Sequence, residues 1–213
     1  MTRKWVTGIV LACQLGCISW ADRPVLARRP PPTALVERLG AVHLQLDSIA
    51  RASTDPRVRR FAGGVDNLWR LPAAHVCDLL IRKGDALAAT LHTLIGQCLA
   101  GDSVTLVEGE GIHPSLAPHH PGDLVRFGFV LEPEETVLFQ TLAGRSPRFR
   151  ALPQAHQHTV AATNWLYGCW LRQQAEVFGQ PWVTSRPWPS LPDRLLQAWE
   201  RPTPQQHGAP VLT

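Results

Sequence analysis

Two acids stand where strand-like runs give way to turns, and they are the residues best placed to meet a ligand. Glu108 closes Val104-Thr-Leu-Val107, a run apolar or β-branched throughout, and is followed by Gly109, Gly111 and Pro114. Such a run suits a parallel strand covered on both faces, and parallel sheets present ligand-binding groups at the carboxyl ends of their strands. The glycines permit a sharp turn and leave room for a ligand. Asp47 closes Val42-His-Leu-Gln-Leu46, which alternates apolar and polar as a strand does. Both acids follow directly on a strand, so they are expected at one edge of the sheet, facing one cleft. The plainer alternatives are a helix cap for Asp47 and a solvated strand end for Glu108. Three histidines, His113, His119 and His120, invite a metal reading. No carboxylate or cysteine accompanies them at ligand spacing, so the stretch reads as a solvated loop and no metal ligand is assigned.

The elements that must position these acids follow from pattern. Gly8–Cys13, GIVLAC, reads as a first strand, although Thr2-Arg-Lys4 ahead of the uncharged run Trp5–Ala21 also has the outline of a signal peptide. Asp22 to Thr33 reads as an exposed linker, since Pro30–Pro32 lack backbone donors. Ala34–Leu39 ends a helix at Gly40, and Asp55–Gly64 is a polar loop. Ala73–Ala100 carries Leu80, Leu87, Leu91, Leu94, Ile95 and Cys98 at helical spacing, with Gly84 as a candidate break. Phe127–Leu131 is a continuous apolar strand, expected next to or one strand from Val104–Val107. A helix from Glu132 to Ala143, a second from Thr159 to Phe178, a short strand Pro181–Thr184 and a last helix from Ser190 to Trp199 complete the order. Strands alternating with helices predict an α/β fold, a three-layer sandwich with a five-stranded, mainly parallel sheet. Residues 1–33 form an atypical N-terminal segment, 34–200 the domain, and 201–213 a disordered tail.

Charge and cysteine usage narrow the function classes. The net charge is +4, and residues 1–60 hold ten Lys/Arg against four Asp/Glu, which leaves the remainder slightly acidic. That distribution argues against a dedicated nucleic-acid surface. The five cysteines are odd in number and three lie in apolar helical patterns, as reduced buried thiols do. Cys13-x-x-x-Cys17 has no matching second pair for zinc. A cytoplasmic protein with no membrane partner fits, unless the N-terminal apolar run is a signal or anchor.

From Ala34 to Trp199 the chain resembles the P-loop kinases of small molecules, near 2-phosphoglycerate kinase and chloramphenicol phosphotransferase. The matching pieces are Ala34-Leu-Val-Glu-Arg-Leu-Gly40, the strand ending in Asp47, and Val107-Glu-Gly109 with Pro114. Further matches are Arg145 with Arg148, Ala175-x-x-x-Gly179-x-Pro181, and Arg186-Pro-x-Pro-Ser-Leu. The resemblance implies a P-loop NTPase-like fold and ATP- and Mg2+-dependent phosphoryl transfer to a small hydroxylated acceptor. Asp47 then orients or deprotonates the acceptor hydroxyl, and Glu108 faces magnesium or the acceptor. Arg145 and Arg148 act as lid arginines, and Arg186 flanks the nucleotide base. The phosphate loop departs from the pattern: no glycine occurs from Cys17 to Leu39, and its Gly-Lys-Ser/Thr position falls near Ala27-Arg28-Arg29. Arg28 and Arg29 are the remaining cations there, so the expectation is a kinase-like enzyme or a catalytically impaired remnant. A non-catalytic binding module and an exported protein are the alternatives.

Overall fold

A computed structural model describes residues 8–13, 31–52, 54, 56, 68–120 and 124–200. Most of the linker, the 55–64 loop apart from Pro56, and the tail lie outside these residues. The described strands are β1 Gly8–Cys13, β2 Val42–Gln45, β3 Thr105–Glu108, β4 Val125–Leu131 and β5 Trp182–Thr184. The helices are α1 Pro31–Leu39, α2 Leu46–Ala52, α3 Ala73–Leu99, α4 Glu135–Arg145, α5 Pro147–Ala151, α6 Gln154–Val177 and α7 Leu191–Glu200.

The structure corrects the expected five-stranded sandwich in its balance of helix and sheet. The described chain is mostly helical, and its five parallel strands are a small part of it, β2 pairing with β3 and β4 with β5. The backbone of β1 runs between β3 and β4 and pairs in parallel with both, giving the order β2-β3-β1-β4-β5. The physical reason is length. β2 and β3 have 4 residues each and β5 has 3, whereas α3 has 27 and α6 has 24. Short apolar runs mark strands correctly but overstate how much of the molecule is sheet. β3 and β4 lie one strand apart, both with mostly buried residues.

Two apolar layers hold these elements. On one face, Val107, Phe127, Phe129 and Leu131 pack with Leu87, Leu91 and Ile95 of α3 and Tyr167, Leu171 and Ala175 of α6. On the other, Leu106 and Val130 pack with Leu35 of α1 and Leu191 and Leu195 of α7. The alternation of Leu106 with Val107, and of Phe129 with Val130, follows from the two-residue period of a strand. Each of these large side chains contributes roughly 1.5–3 kcal/mol by leaving water. Trp199 ties α7 to β4, its Nε1 donating to the Phe127 carbonyl at 2.7 Å.

Two local expectations also change. Gly84 does not break α3, which runs unbroken from Ala73 to Leu99. The prolines do not keep the chain extended up to Thr33, because α1 begins at Pro31. A helix tolerates proline in its first turn, where the missing N–H has no partner inside the helix anyway.

Candidate functional site

β2 and β3 pair in register, Gln45 opposite Glu108, so Asp47 and Glu108 emerge at the same end of neighbouring parallel strands. Asp47 falls in the first turn of α2, where the helix N-terminus favours an acid. Glu108 is 4% exposed. Its Oε1 accepts a hydrogen bond from Gln45 Nε2 at 3.3 Å and lies 3.0 Å from His43 Nε2. Two residues on, Glu110 is also buried, at 5% exposure, and its Oε2 accepts from Lys83 Nζ at 3.1 Å. Lys83 Nζ lies 3.6 Å from Asp47 Oδ1 as well, so one ammonium on α3 stands between acids from two other elements. The Asp47 side chain is 31% exposed against 5% for Glu110, which makes Asp47 the carboxylate within a ligand's reach.

The turn that carries Glu110 is gripped from two sides. Gly109 has φ +156° and Gly111 φ +93°, and a Cβ on Gly109 would lie 2.5 Å from the Leu46 Cβ. A Cβ on Gly111 would meet Leu87 Cδ1 at 3.0 Å. These glycines therefore admit α2 and α3 against the turn; the expected ligand space is filled by protein. Next comes His113, 3% exposed, with Nδ1 3.3 Å from Asp85 Oδ1. Its ring meets Trp170 edge-on with centroids 4.6 Å apart. Its Nε2 has no hydrogen-bond partner among the described residues and faces Gly84. The stretch expected as a solvated loop is a short 3-10 helix, Pro114–His119, that buries Leu116 and Ala117. Beyond it, His120 Nε2 is 2.8 Å from His92 Nδ1, and His119 packs edge-on against the His92 ring. Among the described residues, no group of three His, Cys, Asp or Glu side chains is arranged to hold a metal ion.

Burial sets the protonation chemistry here. It holds the His113 imidazolium below the usual histidine range, with Asp85 pulling the other way. Burial, then the neighbouring His92 and His119, lower His120 in the same direction. The Cys77 thiol, buried and near Asp78 and Cys169, is pushed up to about 11, so it is no nucleophile at neutral pH. Cys77, Cys98 and Cys169 are all free thiols. A histidine whose folded pKa lies below its unfolded value of about 6.5 takes up its proton more readily once unfolded. Its contribution to stability is therefore complete above about pH 6.5 and is lost as the pH falls from there through the folded pKa. Asp85→Asn removes the anion that opposes this shift, so its loss of stability between pH 7 and 5 should be steeper than that of the wild type. Urea midpoints across that range check this, and equal slopes would mean that Asp85 does not act on His113.

The remaining expected site residues are placed elsewhere. Arg186 follows β5, at the opposite end of the strand order from β2, about 14 Å from β3 at ordinary strand spacing. It donates to Thr141 Oγ1 and lies 4.0 Å from Glu132 Oε2, which also accepts from Ser185 Oγ at 2.6 Å. Arg186 thus joins a second polar cluster rather than the one around Asp47. Arg148 is exposed on α5, in the connection from β4 to α6, and Arg145 is the last residue of α4. Arg28 and Arg29 lie outside the described residues. The α1 N-terminus offers little to a phosphate, because Pro31 and Pro32 bring no N–H to its first turn. The rest of the segment between β1 and α1, where the resemblance puts the phosphates of ATP and Mg2+, lies outside the described residues. Sequence reading missed Lys83, Glu110, His43 and Gln45. A signal for Lys83 was present: the chain has two lysines, and the other is Lys4.

No family model and no curated protein matches the chain.

Proposed function

We propose that this protein is kinase-like in its acceptor half. The carboxyl edge of β2 and β3 binds a small hydroxylated metabolite, and ATP-dependent transfer to it is impaired or lost. Asp47 accepts the hydroxyl's hydrogen bond or proton, as the most reachable carboxylate of the cluster. Glu108, fixed by Gln45 and His43, shapes the floor. The observation that carries this reading is the pairing of Gln45 with Glu108, which presents Asp47 and Glu108 at one strand edge. Its weak point as an enzyme is the proline-started α1, which favours a binding role over turnover. No described helix is long and apolar enough to cross a membrane, which is compatible with the cytoplasmic site we propose. The acceptor is a small molecule and not a nucleic acid, given where the basic excess falls.

Thermal-shift and calorimetric titration with phosphorylated and unphosphorylated sugar acids, polyols and Mg-ATP test the reading. A hydroxylated compound should stabilise the wild type, by about 2.7 kcal/mol at a hundredfold excess over its Kd. That stabilisation should vanish in Asp47→Asn. Mg-ATP should bind weakly or not at all. Micromolar, magnesium-dependent ATP binding would overturn the impaired-transfer part, and ligand binding indifferent to Asp47→Asn would overturn the site.

A further inference from the structure

Lys83 is the one described lysine, and it lies on a helix whose neighbouring turns are given over to the apolar core. Its side chain is 14% exposed, so its charge is largely withdrawn from water. Such burial is costly unless the charge is paired. The pairing reaches two ways, 3.1 Å to Glu110 Oε2 in the turn after β3 and 3.6 Å to Asp47 Oδ1 at the start of α2. Glu110, at 5% exposure, is too buried to meet a ligand itself. Without an ammonium between them, Asp47 and Glu110 would be two carboxylates repelling one another in a partly dry site.

We propose that Lys83 is the positioning residue of the carboxyl-edge site: it holds Asp47 in place and in its charged form by bridging it to Glu110. The proposal rests on the reading that Asp47 meets the ligand. Its chemical content is separable from that reading, because the charge state of Asp47 can be followed with no ligand present. Lys83→Met keeps the apolar stem and removes the charge; Lys83→Arg keeps the charge.

The test uses the full chain, a water-soluble carbodiimide with a glycine-ester amine at pH 6, and mass spectrometry of the peptide that holds Asp47. Carbodiimides activate protonated carboxyls, so the labelling rate reports how firmly Asp47 keeps its charge. Lys83→Met should raise Asp47 labelling several-fold, and Lys83→Arg should return it to near the wild-type rate. The Lys83→Met protein should also lose about 5–10 °C of Tm at pH 7.5 and regain part of it towards pH 5, as the carboxylates take up protons. A uniform fall in Tm with unchanged labelling is what a purely structural lysine would give, and it overturns the proposal. If Lys83→Met does not fold, Glu110→Gln carries the test. With Glu110 neutral, more of the Lys83 charge acts on Asp47, so labelling should fall below wild type, and an unchanged rate overturns the proposal. If labelling responds as stated but no hydroxylated compound ever protects Asp47, the Lys83 assignment stands and the ligand reading fails.

Discussion

Replacing Gly84 by alanine is expected to destabilise this protein by about 2–3 kcal/mol, although alanine is the better helix former by about 1 kcal/mol. A Cβ at residue 84 would lie 2.0 Å from His113 Nε2 and 2.2 Å from its Cε1. No adjustment of a few tenths of an ångström relieves a contact that short. The imidazole would have to leave its slot. Behind it stand Trp170, edge-on, and Tyr167, with ring centroids 6.3 Å away. Evicting a buried ring empties a volume comparable to a large-to-small core change, about 3–4 kcal/mol, which outweighs the gain in helix propensity. In a chain of this size the melting point should fall by about 5–10 °C. His113→Ala made in the Gly84→Ala background should then cost less than it does alone, because the clash it relieves is already present. A Gly84→Ala protein as stable as the wild type would show that the His113 slot is not rigid.

Gly84 also shows how far sequence reading reaches in this fold. The helical period of Leu80, Leu87, Leu91 and Ile95 located α3 to within a residue of its ends, because burial of one stripe imposes that period. Nothing in the period says why a glycine interrupts it. The reason is the ring of His113, from a turn far along the chain, a contact between distant residues that no local pattern encodes. The same limit governs the site. Asp47 and Glu108 were legible because each ends a strand, and strand order then aligned them. Lys83 was hidden in a core helix. Arg186 was assigned by motif to a loop flanking a nucleotide base, and the strand order places it at the far side of the sheet from Asp47, with Glu132 and Thr141. The overall balance of helix over sheet was misjudged for another local reason. The 3 residues of β5 and the 27 of α3 each count as one element in a pattern, but they differ several-fold in the structure they supply.

Gly109→Ala should damage both stability and the candidate site. Its backbone has φ +156°, a conformation that a side chain tolerates poorly. The added Cβ would lie 2.5 Å from the Leu46 Cβ and 3.4 Å from the Leu46 Cα and N. Unlike a side-chain tip, these atoms belong to or adjoin the backbone of α2 and cannot swing aside. Leu46 is 0% exposed, so moving it also disturbs the core against Leu87 and Val107. Overpacking of this kind costs about 1–3 kcal/mol, and the unfavourable φ adds about 1 kcal/mol. The functional consequence comes from chain order. Leu46 is followed directly by Asp47, and Glu110 is the next residue but one after Glu108 across the same turn. Pushing α2 away from the turn lengthens the reach from Lys83 to Asp47, which already stands at 3.6 Å. Ligand stabilisation should therefore fall more than the loss in Tm accounts for, measured by titration at a temperature where the variant remains folded. A truncation elsewhere in the same core, Leu91→Ala, should lower Tm by a similar amount and leave ligand affinity unchanged. Equal affinity losses in the two variants would mean that Asp47 depends on overall stability and not on the turn that Gly109 makes possible.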